Sequence, residues 1–181
     1  MRRLLLLLVF ALQASPVLTA QPSFDPLKKL AFSRSPLTIT QLATPRRPFS
    51  VVGERGAVLG QQDGSFEFWS LPYKILQHAH LSIELDGYGV PIDLNPLAAT
   101  IDVAPDRTTI TYSHSAVTVR QDMFVVRGGT EEDPAALILF SIDSTRSGTL
   151  TLDFEPVMAP MWPAPQHGVA GASWVPIGNG G

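Results

Sequence analysis

Residues 51–85 read VVGERGAVLGQQDGSFEFWSLPYKILQHAHLSIEL, and the architecture of the chain is legible from this stretch outward. Asp63-Gly64 stands between two β-capable segments, the pattern of a tight hairpin, because glycine accepts a positive φ without a Cβ clash. An aromatic run, Phe66-Glu67-Phe68-Trp69, follows the turn. Strand alternation puts Phe66 and Phe68 on one face, which most simply means core, and Glu67 and Trp69 on the other. From Tyr73 to Leu85 the period is two: Ile75, Gln77, Ala79, Leu81, Ile83 and Leu85 form one mainly apolar side, and Leu76, His78, His80, Ser82 and Glu84 the other.

The same grammar continues in both directions. Upstream, Val51–Gly60 reads as one strand in which Gly53 and Gly56 mark bulges. Downstream come a turn at Asp86-Gly87, an edge or connecting piece at Val90–Leu94, and a hairpin from Thr108 to Val126 turning at Ser113–Ser115. Ala135–Asp143 and Thr149–Glu155 are further strands. Short strands, frequent turns and no sustained 3.6-residue period predict an all-β, antiparallel sandwich. Its span is 49–156, preceded by a Pro-rich leader, 21–48, expected to lie extended on the body with a short strand near Leu37–Thr40. Residues 157–181 change to a Pro-, Trp- and Gly-rich composition expected of a loop leading to a missing continuation, so the chain reads as a fragment with an incomplete sandwich.

Composition bounds the rest. With 45% hydrophobic and 16% charged residues, the chain is a packed globular one. Residues 1–20 read as a secretory signal peptide: Arg2 and Arg3, a short apolar run from Leu4 to Leu12, and Ala20 before the cut. That run is too short to span a bilayer, so no membrane span is expected after its removal. Cleavage removes two arginines and leaves eleven basic against sixteen acidic groups, with no basic stripe for nucleic acid. The chain has no cysteine, which fits a bacterial periplasmic or secreted protein stabilised by its core and not by disulfides.

Chemistry-bearing motifs are few. His78 and His80 share a strand face at a spacing a metal tolerates, but neither His114 nor His167 supplies a third ligand at any recognisable spacing. Glu131, Glu132 and Asp133 contain carboxylates of the type glycosidases use, in a setting more typical of solvated surface. Nucleophile-elbow and phosphate-loop motifs are absent, and no cofactor, metal or catalytic residue is assigned. The aromatic residues are the better candidates. Trp69 beside Glu67, and Trp162 and Trp174 in the tail, are candidate saccharide contacts; burial of Trp69 against a neighbouring sheet or domain is the alternative.

At Val52–Ala57, Gly64-Ser65-Phe66-Glu67-Phe68-Trp69, Pro72-Tyr73-Lys74-Ile75-Leu76 and Met161-Trp162-Pro163, the chain resembles the N-terminal β-sandwich of bacterial glycogen-debranching-like proteins. These are amylo-α-1,6-glucosidase and glucoamylase-like glycosidases with a six-hairpin catalytic barrel. The resemblance covers about residues 49–175 and rests on the order of the motifs. It implies a supersandwich-like domain packed on an (α/α)6 barrel that holds the catalytic carboxylates, so no catalytic residue transfers to this chain. The motif's pattern positions fall on Glu67, Trp69 and Lys74. The implied role is a non-catalytic domain in α-glucan metabolism, with an oligo- or polysaccharide and the barrel as partners; a stand-alone carbohydrate-binding or structural sandwich is the alternative. The signal reading predicts an exported chain whose first residue is Gln21, to be checked by intact mass and N-terminal sequencing of the secreted form.

Overall fold

The computed structural model describes residues 35–125 and 135–161. Its strands form two antiparallel sheets packed face to face. The front sheet has the order β1-β7-β8-β9-β10 and comprises β1 (Ile39–Leu42), β7 (Ala98–Ala104), β8 (Arg107–His114), β9 (Val117–Val125) and β10 (Ala136–Ser144). The back sheet has the order β11-β5-β4-β3-β2: β2 (Pro48–Val52), β3 (Gly56–Gln61), β4 (Phe66–Ser70), β5 (Tyr73–Leu85) and β11 (Gly148–Pro160). A two-residue strand, β6 (Ile92–Asp93), adds to β5, and one 3-10 turn, Asn95–Leu97, follows it.

The core lies between the sheets. Val58, Leu81, Ile83 and Leu85 of the back sheet meet Ile101, Ile110, Tyr112, Val119 and Met123 of the front sheet, all fully or almost fully buried. Each such apolar side chain contributes roughly 1.5–3 kcal/mol on leaving water. The downstream strand of the Thr108–Val126 hairpin, β9, alternates with period two, and Val117, Val119, Gln121, Met123 and Val125 are all buried.

Several local expectations are corrected. Residues 51–60 form two strands, not one bulged strand. The hairpin β2–β3 turns at Gly53–Arg55, closed by the Gly53 N–H donating to the Gly56 carbonyl at 2.9 Å. The leader's strand is Ile39–Leu42, and it joins the front sheet by pairing with β7. The β8–β9 turn is Ser115-Ala116, with the Ala116 N–H donating to His114 Nδ1 at 3.1 Å. β11 runs on through Pro156 to Pro160, because it is an edge strand and a missing N–H on its outer side breaks no ladder bond.

In β5 the expected faces hold only from Ala79 onward. Leu76, assigned to the polar side, packs against the core, and His78 is exposed with φ +55°. An extra β5 residue relative to β11 lies between Gln77 and His80, and this bulge shifts the phase of the alternation. Ile75 and Gln77 therefore lie out of phase with the buried row Ala79, Leu81, Ile83 and Leu85.

The Asp63-Gly64 hairpin forms as predicted, joining β3 to β4. Asp63 Oδ1 accepts from the Ser65 N–H at 2.9 Å and from the Ser65 hydroxyl at 2.7 Å, and Gly64 has φ +89°. A Cβ on Gly64 would collide with the Tyr112 hydroxyl. Gly64→Ala is expected to destabilise the fold by about 2–4 kcal/mol, the sum of left-handed backbone strain and overpacking. Urea unfolding with an unchanged m-value is the measurement, and a loss below about 0.5 kcal/mol contradicts steric exclusion at the turn.

Candidate functional site

The outer face of the back sheet carries a connected polar cluster. In β4, alternation buries Phe66 and packs Phe68 on the core, and so sends Glu67 and Trp69 outward. Register fixes their neighbours. Trp69 stands opposite Ala57 on one side and Lys74 on the other, and Glu67 stands opposite Leu59. The Trp69 indole N–H donates to Glu67 Oε1 at 2.7 Å, and Lys74 Nζ approaches Glu67 Oε2 to 2.6 Å. The same ammonium lies 5.2 Å from the centre of the Trp69 ring. That cation–π contact is worth about 0.5–1 kcal/mol at a partly exposed site. One carboxylate thus fixes both the indole and the ammonium.

The cluster extends across β5 to β11. Lys74 Nζ donates to Gln77 Oε1 at 3.3 Å, and Gln77 Nε2 donates to Glu155 Oε2 at 3.0 Å. His78 Nδ1 lies 2.9 Å from the same Glu155 oxygen. Glu155 is exposed, and its carboxyl is held below the usual carboxylate range, first by the Gln77 amide and then by His78. Beside these groups a hollow of about 400 Å³ opens, lined by Gln61, Ser65, Glu67, Lys74, Gln77 and His78 and by the apolar Pro48 and Leu59.

The structure brings Glu67, Trp69 and Lys74 together, as the sequence pattern grouped them. Trp162 and Trp174 lie outside the described residues, as do Glu131, Glu132, Asp133 and His167. His78 and His80 each engage a separate carboxylate: His80 Nε2 lies 3.0 Å from Asp93 Oδ1. Among the described residues no three His, Asp or Glu side chains gather as a metal site. Gln77 and Glu155 were missed by sequence reasoning. Gln77 reads as part of an apolar face, and Glu155 stands 78 residues further along the chain. No helix among the described residues is long and apolar enough to cross a membrane.

In comparisons with known proteins, the chain matches no family model, no curated protein and no solved structure.

The Glu155 contacts set a pH dependence. A carboxyl depressed in the folded state favours folding above its unfolded pKa, and that contribution is lost as pH falls through the folded value. Gln77→Leu is expected to move the Glu155 titration midpoint up toward the ordinary carboxylate range, read from its side-chain carboxyl 13C shift. An unmoved midpoint contradicts the Gln77 amide as the leading cause of the depression.

Proposed function

We propose that this chain is a non-catalytic N-terminal β-sandwich of an exported glycoside-hydrolase-like protein acting on α-glucans or related saccharides. The observation that carries the reading is the convergence of Glu67, Trp69 and Lys74 into one bonded unit. These are the pattern positions of the resemblance, drawn from two strands that pair across a short turn. The two-sheet antiparallel architecture agrees with the domain that the resemblance implies.

The chemistry of the cluster supports a non-catalytic role. Glycoside hydrolysis needs a carboxyl that holds a proton near neutral pH to protonate the leaving oxygen. Glu155 is pushed the opposite way, toward the ionised form, and Glu67 is ion-paired with Lys74. Catalysis on this reading belongs to the barrel domain. Val52 and Leu59, exposed on the same outer face, supply apolar area for packing against such a partner.

A stand-alone saccharide-binding sandwich is the second reading, and the hollow beside Glu67 favours it. Both readings give the same result with glucans. The purified chain, incubated with α-1,4- and α-1,6-linked glucans, is expected to release no reducing sugar above a blank. Release above the blank overturns the non-catalytic assignment.

A further inference from the structure

β4 and β5 pair from Ser70 and Tyr73 as far as Phe68 and Leu76, with a register shift between Trp69 and Phe68. Beyond that point lies the bulge between Gln77 and His80. His78 is a non-glycine residue with left-handed backbone, φ +55°. Such residues are uncommon, and bulges that use them re-aim side chains next to functional sites. Here the bulge sets Gln77 and His78 on the wall of the hollow, facing the start of β4.

The lining divides in a way that points to a ligand class. Pro48 and Leu59 give a small apolar wall, and Gln61, Ser65, Glu67, Lys74, Gln77 and His78 give a larger polar one. The polar groups keep unused bonding capacity. Each Glu67 oxygen accepts one bond and has room for another. Lys74 spends two of three N–H donors, and Gln77 spends one of two amide hydrogens. Acceptors beside donors suit hydroxyl groups, which do both. Charge excludes the other classes. Lys74 is balanced by Glu67, and Glu155 stands nearby on Gln77 and His78, so an anion is repelled, while a cation would compete with Lys74 for Glu67.

We propose that this hollow is a binding site for a neutral mono- or disaccharide, with Glu67, Lys74 and Gln77 as its hydroxyl-binding groups; this rests on the carbohydrate reading above. The volume of about 400 Å³ falls at the lower end of the range for small-molecule sites, roughly 300–1,000 Å³. Trp69 is a positioning residue and not a stacking platform. Its N–H is spent on Glu67, Lys74 lies over its ring, and its side chain does not line the hollow.

The test is calorimetric titration of the full chain with maltose and isomaltose, with glucuronate and glucosamine as charged comparators. Saturable binding of a neutral disaccharide is expected, with Kd on the order of 1 mM. Glu67→Gln and Gln77→Leu should each weaken it by about threefold to tenfold, the loss of one hydrogen bond. Trp69→Phe should weaken it similarly in the parent chain and have no further effect beside Glu67→Gln, which separates positioning from mere structural support. No saturable binding, unchanged affinity in both single variants, or tighter binding of a charged sugar overturns the proposal. If a variant fails to fold, amide shift mapping on the parent chain decides: shifts at Gln77 and His78 support the site, and shifts confined elsewhere overturn it. The two readings fail separately. Glucan hydrolysis refutes the non-catalytic assignment and leaves the pocket standing, whereas absent sugar binding without hydrolysis refutes the pocket alone.

Discussion

The two sheets depend on one buried polar seam, where the Asp63-Gly64 turn of the back sheet sits on Tyr112 of the front sheet. Gly64 has no Cβ, and that absence gives the Tyr112 ring its place beneath the turn. The Tyr112 hydroxyl donates to Gln121 Oε1 within the front sheet. Asn95 ties the turn to β5, accepting from the Leu81 N–H at 2.7 Å and donating to the Asp63 carbonyl at 3.1 Å. Burial, and secondarily the Asp63 charge, raises the Tyr112 pKa far above the usual phenol range. A phenol raised in the folded state favours folding below its unfolded pKa, about 10, and loses that contribution as pH rises beyond it. Across neutral pH the hydroxyl therefore stays a donor and the seam stays intact.

The seam also orients the outer face of the back sheet. The turn fixes where β4 begins, and a strand whose first residue is set has every later side chain assigned to a face. Phe66 goes inward against the core, so Glu67 and Trp69 go outward. Register with β5 then brings Lys74 opposite Trp69. The polar cluster is thus a consequence of turn placement, followed by strand parity, followed by cross-strand pairing.

That causal order explains what the sequence discloses. The hairpin turn, the β9 alternation and the outward pairing of Glu67 with Trp69 are legible because each depends on residues a few positions apart. The phase change in β5 is not. Gln77 and His78 carry no glycine or proline to flag a bulge, so a period-two reading runs through them unbroken. The turn at Gly53–Arg55 is ambiguous for the opposite reason, since its two flanking glycines serve a bulge or a hairpin equally well. Pro156 reads as a strand end, yet only knowledge that β11 is an edge strand removes the penalty. Glu155 enters the cluster through β5–β11 pairing, a long-range fact that no local pattern carries.

The outer cluster adds little net stability. A surface ion pair such as Lys74–Glu67 contributes about 0–1 kcal/mol, and the cation–π contact adds a similar amount. Left-handed backbone at His78 costs about 1–2 kcal/mol, so the gain and the strain nearly cancel. Core residues carry the fold, and each of them outweighs the whole outer network. The bulge also keeps Leu76 on the core side, since an unbulged β5 would turn Gln77 inward in its place. What the bulge and its linked side chains add on the outer face is a fixed arrangement of donors and acceptors at the edge of a hollow.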